Sequence, residues 1–259
     1  MTRAFSVHAI QTRILETGDD LVDVLIGAVQ QSTAGGFQDG DVLVIAETAL
    51  ATVEGAVIAL EGVRPSRRAE ELGARHALDP RVVQVVLDES DRVVGGIDGF
   101  LLCIKNGTLL PNAGVDASNA PPGHVTPLPR DPDGSARRIR AGLEARTGAR
   151  LGVLIADSRT HAMRLGSSGV AIGCAGIPSV IDERGRTDLF GRVLQVTKRA
   201  VADCIVSAAE LVMGEADEAV PAALVRGTGI PIGDWSGVEG ITAEECLFMG
   251  AMRAGNREE

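Results

Sequence analysis

The chain has 259 residues and a formal net charge of −10, with 25 lysines and arginines against 35 aspartates and glutamates. That excess of acid excludes a general binder of the nucleic-acid backbone, which needs a basic face to displace counterions, and aromatics at 2% with no tyrosine leave little for stacking on bases. The 45% apolar fraction supports one large core or two lobes, built from Val, Leu, Ile and Ala.

Residues 5–15, FSVHAIQTRIL, alternate apolar and polar side chains like a half-buried strand. Leu21, Val24, Leu25 and Val29 then recur at helical spacing, and DGDVLVIAETAL at 39–50 reads as a turn and a buried strand. Residues 65–90 give two amphipathic helices separated by Asp79-Pro80, the first opening at Ser66 with acids at Glu70 and Glu71. Residues 91–114 carry Gly95-Gly96 and Asn106-Gly107 between apolar runs, the pattern of a hairpin or meander.

Residues 120–135 form a Pro/Gly/Asp-rich loop, after which Ser135 is expected to cap a helix ending at Gly148. A continuous apolar strand, RLGVLIADS, follows at 150–158 and ends on an acid. The glycine-rich stretch 159–197 reads as loops mixed with short strands. The next helix, 198–215, shows Val201, Ile205, Ala208 and Val212 on one face. A last strand followed by turns within 219–231 and an acidic terminal helix at 242–259 complete a mixed α/β chain, with neither a doubly wound alternation nor the strand count of a barrel.

Cys103, Cys174, Cys204 and Cys246 are far apart in apolar surroundings, as expected of buried reduced thiols. No signal pattern opens the chain, and no apolar stretch reaches the roughly 20 residues that span a bilayer, so a cytoplasmic protein with no membrane partner is expected. Lys105 and Lys198 are the only lysines, so an anion site would use the forked guanidinium of arginine.

Several chemical signatures are missing. There is no GxxxxGK[ST], and 169–176, GVAIGCAG, lacks dinucleotide spacing and reads as a tightly turned core segment. HExxH and GxSxG are absent too. The residues that remain are ambiguous one by one. Asp157 and Ser158 end a buried strand, where an acid serves equally as a ligand to a hard cation or as the cap of a turn. Asp116, in NAGVDASN at 112–119, most simply bonds its own turn. Glu215, with Asp217 and Glu218, lies at a helix carboxyl end, where negative charge is disfavoured; that suits either a cation or a solvated turn. His161 can be a general base, an anion contact or an ordinary hydrogen-bonded histidine. Arg159, Arg164 and Arg192 could each grip a carboxylate or phosphate, or simply be solvated.

Taken in order, DGDVLVIAET, NAGVDASN, DPDGSA, GVLIADS, GVAIGCAGI, GRTDLFGR and MGE resemble the coenzyme F-420 gamma-glutamyl ligases over about residues 5–230. The resemblance implies a two-lobed ligase fold with mixed sheets and an intertwined homodimer. Residues 1–259 would then form a single catalytic unit, with a lobe boundary that the sequence does not mark. It also implies a GTP-dependent ligase that phosphorylates a terminal carboxylate and lets the glutamate amine attack the acyl phosphate. Asp116, Asp157, Ser158 and Glu215 match the family's ligands for magnesium or manganese, beside a monovalent cation. Thr48, Asn119, Met213, Gly214, Glu215, Ala216 and Asp217 match its nucleotide contacts, and Arg164 and His161 fall in the catalytic segment. The implied partners are small molecules: nucleotide, glutamate and a carboxylate acceptor.

Four positions, in three segments, depart from the family pattern. Glu47 replaces the first of a hydroxyl pair, Thr52 replaces a lysine facing phosphate, and Thr160 and His161 replace glycine and arginine. Arg159 is a candidate to restore the lost cation. The departures leave room for a ligase of another small carboxylic acid, or for a non-catalytic homologue that binds nucleotide and metal.

Overall fold

The computed structural model describes residues 4–255, with side chains to residue 251. In chain order the elements are β1 (Ser6–Ile10), α1 (Leu21–Gln31), β2 (Val42–Ala46), α2 (Glu47–Val53), β3 (Ile58–Ala59), α3 (Arg67–His76), α4 (Pro80–Glu89), β4 (Arg92–Ile97), β5 (Phe100–Lys105), β6 (Thr108–Pro111) and β7 (His124–Val125). They continue with α5 (Pro132–Thr147), β8 (Gly152–Thr160), β9 (Ser167–Ala175), β10 (Val180–Asp182), β11 (Lys198–Ala200), α6 (Val201–Met213), β12 (Ala222–Arg226) and α7 (Leu247–Gly255). The fold is mixed α/β. One compact unit takes the chain up to Ala56 together with Pro129–Val238, and the second takes Val57–Leu128 with the chain from Glu239 on.

The first unit is a five-stranded sheet in the order β1-β12-β2-β8-β9, in which only β2 and β8 run parallel. β2 is apolar at every position, and β12 and β8 are apolar over Ala222–Val225 and Val153–Ala156, because both faces are covered there. Leu43, Ile45, Val153, Ile155 and Leu224 pack into a core with Leu25, Val29 and Leu143 of α1 and α5. Val42, Val44, Leu154, Ala156 and Val225 face the other way, onto Ala202, Val206 and Ala209 of α6. At Gly173 of β9 a Cβ would lie 2.5 Å from the Pro132 carbonyl oxygen, so only glycine lets the start of α5 approach the strand.

A buried ion pair closes this unit. Asp41 is fully buried just before β2, and its carboxylate accepts from Arg226 Nε and a terminal guanidinium nitrogen, both at 2.8 Å. Arg226 also donates to the carbonyls of Ala34 and Gly36, fixing the loop between α1 and β2 against the end of β12.

The second unit packs α3 and α4 on the meander β4-β5-β6, with Val83, Val86, Leu101, Cys103 and Val125 at its centre. Ser66 caps α3 by accepting from the Ala69 amide, and Asp79 with Pro80 opens α4, as their spacing suggests.

Several local expectations are corrected. The meander turns at Asp98-Gly99 and Asn106-Gly107; Gly95 and Gly96 lie inside β4, where the register shifts. Asp131 caps α5, its carboxylate accepting from the Gly134 amide, so Ser135 falls within the helix and donates to Glu54 instead. Glu47 to Leu50 belong to a helix rather than to the end of a strand. Residues 169–176 lie mostly in the long strand β9, because its glycines meet neighbouring backbone and side chains instead of turning. The buried face of α6 is Val201, Ala202, Ile205, Val206, Ala209 and Met213, broader than the stripe expected, and it leaves Ala208 and Val212 half-buried. Cys103 and Cys174 are buried, Cys246 is half-buried and Cys204 is exposed. The last residues of the expected terminal helix, 256–259, lie outside the described residues.

Replacing Arg226 with alanine strands the Asp41 carboxylate and two carbonyls in a dry loop. Urea denaturation is expected to show a loss of about 3 kcal/mol, and an unchanged midpoint would contradict the clamp role.

Candidate functional site

The parallel pairing of β2 and β8 builds the site. Ala46 registers with Ala156, so the next residues along the two strands come side by side at the carboxyl edge of β2: Glu47, which turns into α2, and Asp157, which stays in β8 paired with β9. Burial, followed by the charge of Asp157, lifts the Glu47 carboxyl to about 7, although Thr48 Oγ1 donates to its Oε1 at 2.7 Å and partly opposes the rise. The antiparallel strands bring two more segments to this edge. The Ala46 amide donates to Pro221 O just before β12, and the Thr12 amide, just past β1, donates to Ala219 O.

Alternation along β8 splits its polar end between the two faces of the sheet. Asp157 and Arg159 continue the face of Val153 and Ile155, whereas Ser158 continues that of Leu154 and Ala156, toward α6. Arg159 Nε donates to Asp157 Oδ2 at 2.7 Å, with the two side chains only 14% and 12% exposed. On the other face Ser158 Oγ donates to Glu215 Oε2 at 3.2 Å. Glu210 of α6 lies beside them. Burial, then the charges of Glu215 and Asp157, push its carboxyl up to about 7. Gly169, which pairs with Ser158, makes room for it, since a Cβ there would stand 2.8 Å from the Glu210 carboxyl carbon.

The segment after α6 is folded around its own acid. Met213 is buried, Gly214 ends the helix at φ 74°, and the Ala216 amide donates to Glu218 Oε2 at 2.8 Å. Gly214, Glu215, Ala216 and Asp217 are exposed. His161 and Arg164 occupy the exposed connection between β8 and β9, where His161 Nε2 lies 2.9 Å from Ser168 Oγ and the Arg164 amide donates to His161 O.

Asp116 and Asn119 belong to the second unit. Asp116 Oδ1 accepts from the amide and the hydroxyl of Ser118, the turn role that its composition suggests. It also forms an isolated antiparallel bridge with Thr126, whose buried hydroxyl has no hydrogen-bond partner. Asn119 is exposed, with φ 54°.

Glu47, Asp157, Glu210 and Glu215 therefore form an electrostatically linked set of carboxylates in the first unit, with the Ser158 and Thr48 hydroxyls against it. An all-oxygen donor set suits magnesium or manganese, and the two raised acids mark negative charge that a divalent cation would relieve. Among the described residues no three His, Cys, Asp or Glu side chains stand in a ready-made metal cluster. Glu210 was hidden in sequence inside an apolar helix; the only signal was a single acid on its inner side, just before MGE. An open groove of about 830 Å³ runs between α1 and the end of β1, lined by Gln11, Thr12, Arg13, Gln31, Ser32 and Val220 and by none of these carboxylates.

Residues 9–227 match the family described as F420-0:Gamma-glutamyl ligase. The chain is 44% identical over 216 residues to the coenzyme F420:L-glutamate ligase of Methanopyrus kandleri, covering 83% of each chain. It is 43% identical over 215 residues to that of Methanothermobacter thermautotrophicus, covering 83% of this chain and 85% of the relative. The corresponding Methanocaldococcus jannaschii ligase is 44% identical over 210 residues, 81% and 84% of the two chains.

The raised Glu47 carboxyl carries a sign. Below its ordinary value of 4.5 it is protonated folded or unfolded; as pH rises from there to about 7 the native state loses the advantage of holding the proton. In chelator, Glu47→Gln is therefore expected to match the parent in acid and to exceed it above neutrality by about 2–3 kcal/mol. Parallel stability curves across pH would refute the burial of this charge.

Proposed function

The chain belongs to the F420-0:Gamma-glutamyl ligase family, and on that premise we propose that it joins L-glutamate to the terminal carboxylate of the deazaflavin coenzyme F-420 precursor, using GTP and a divalent metal. The observation that carries this reading is the convergence of Glu47, Asp157, Ser158, Glu210 and Glu215 on the carboxyl edge of one sheet, where α/β proteins gather their ligands. The acceptor carboxylate takes the terminal phosphoryl group of the nucleotide, and the glutamate amine displaces phosphate from the resulting acyl phosphate.

In this reading Asp116, Asp157, Ser158 and Glu215 hold the magnesium or manganese, with a monovalent cation beside it. The metal supplies neutralisation of the phosphate charge. Asn119, Thr48 and the segment from Met213 through Gly214, Glu215 and Ala216 to Asp217 contact the nucleotide. Arg164 orients an anionic substrate through its fork, and His161 takes a proton from the attacking amine.

The same reading includes a cytoplasmic homodimer. Leu189, Phe190 and Val196, on the excursion between β10 and β11, are between 85% and 98% exposed, an apolar surface suited to a partner. A second acceptor has one specific support. The Thr52 hydroxyl is spent on the Thr48 carbonyl at 2.8 Å and supplies no positive charge, and His161 stands where the family has arginine, so another small carboxylic acid could replace the deazaflavin substrate.

Incubation with manganese, GTP, L-glutamate and the deazaflavin precursor is expected to give a glutamyl adduct by mass spectrometry. Its rate should fall about 100-fold or more in Asp116→Asn and in Glu215→Gln. An adduct with a different acid alone would select the second acceptor, and nucleotide binding with no product from any acid would indicate a non-catalytic homologue.

A further inference from the structure

Arg159 does something that its sequence position alone does not suggest. It is two residues past Asp157 on the same face of β8, and its Nε–H donates to Asp157 Oδ2 at 2.7 Å. With 14% and 12% of the two side chains exposed, the pair is largely withdrawn from water, a setting in which a charge-assisted hydrogen bond is strong and each ion depends on the other. The backbone beneath the pair is fixed, because Asp157 registers with Val170 and Arg159 with Ser168 across the β8–β9 ladder. The guanidinium is carried on a long flexible stem and lies next to the exposed connection at 160–167, so it can leave the carboxylate without any strand moving.

The guanidinium stands among acids, because the charge of Asp157 is felt by both Glu47 and Glu210, and Arg159 is a cation that the fold sets directly on that carboxylate. We propose that Arg159 is an internal counter-ion that competes with the divalent cation for Asp157, so that metal loading requires the guanidinium to give up that carboxylate. The inference rests on the reading of Asp157 as a metal ligand. It makes Arg159 a positioning residue that sets metal affinity, which differs from a restored phosphate contact.

The test is calorimetric titration of Mn2+ into chelator-stripped full-length protein without nucleotide. Arg159→Gln removes the competing charge and is expected to bind Mn2+ about tenfold more tightly or better. Arg159→Lys keeps the charge but loses the fork, and is expected to fall between the two. Thermal unfolding supplies a second readout: without metal the Gln variant melts below the parent, and added Mn2+ raises its melting temperature more than that of the parent. A purely structural ion pair would lower the melting temperature and leave Mn2+ affinity unmoved or weaker, which would overturn the proposal while leaving the metal site intact. Absence of Mn2+ binding in parent and both variants would overturn the proposal together with the metal reading of Asp157. If the Gln variant does not fold, Arg159→Lys decides alone, and parental or weaker affinity in it counts against the competition.

Discussion

The parallel register of β2 against β8 is the constraint on which the site depends. Both strands are buried on both faces, so a slip of one residue would turn Leu43, Ile45, Val153 and Ile155 out of one core and into the other. The packing thereby fixes Ala46 opposite Ala156, and with it the adjacency of Glu47 and Asp157. Parallel neighbours also require a long connection. Here the chain between β2 and β8 contains residues 57–128, which belong with the chain from Glu239 on to the second compact unit, followed by α5.

Concentrating acids at the edge works against stability, and the surroundings offset this only in part. Thr48 gives one hydrogen bond to Glu47, Ser158 gives one to Glu215, and Arg159 takes Asp157. Glu47 and Glu210 nevertheless remain close to neutral pH in their proton affinity. Such a cluster is poorly explained by folding alone. The buried pair of Asp41 and Arg226 at the opposite end of β2 shows the alternative arrangement, in which one acid receives a bidentate guanidinium that also satisfies two carbonyls.

Much of the scaffold was legible because local chemistry and tertiary packing agree there. The uninterrupted apolar run of β8, the caps at Ser66 and Asp79, and the αL residue at Gly148 each have a single reasonable outcome. Where they disagree, the sequence misleads. Gly95-Gly96 has turn composition, but Asp98-Gly99 provides the two-residue loop that the register of Ile97 with Phe100 needs. Ser135 is a good cap, yet Asp131 lies three residues before Gly134 and just ahead of a proline that can only begin a helix. Of the site, Asp157, Ser158 and Glu215 could be grouped only through the order of motifs, because strand pairing brings together positions far apart in the chain. Glu210 was missed because helical periodicity weighs apolar residues and passes over a lone acid on the packed side.

The turn role of Asp116 is compatible with the ligand role proposed for it. Its Oδ1 accepts from both the amide and the hydroxyl of Ser118, while the bridge to Thr126 fixes its backbone. A carboxylate held in this way has already lost the rotamer freedom that binding a cation would otherwise cost. The small residues around it, Ala113, Gly114 and Ala117, allow the tight winding that holds it: Ala113 and Gly114 both adopt positive φ, and a Cβ at Gly114 would strike the Leu128 side chain. The turn therefore supplies preorganisation to the carboxylate, just as β-sheet register supplies it to Asp157. In both units rigid backbone pairing, rather than a long flexible side chain, determines where the acid stands.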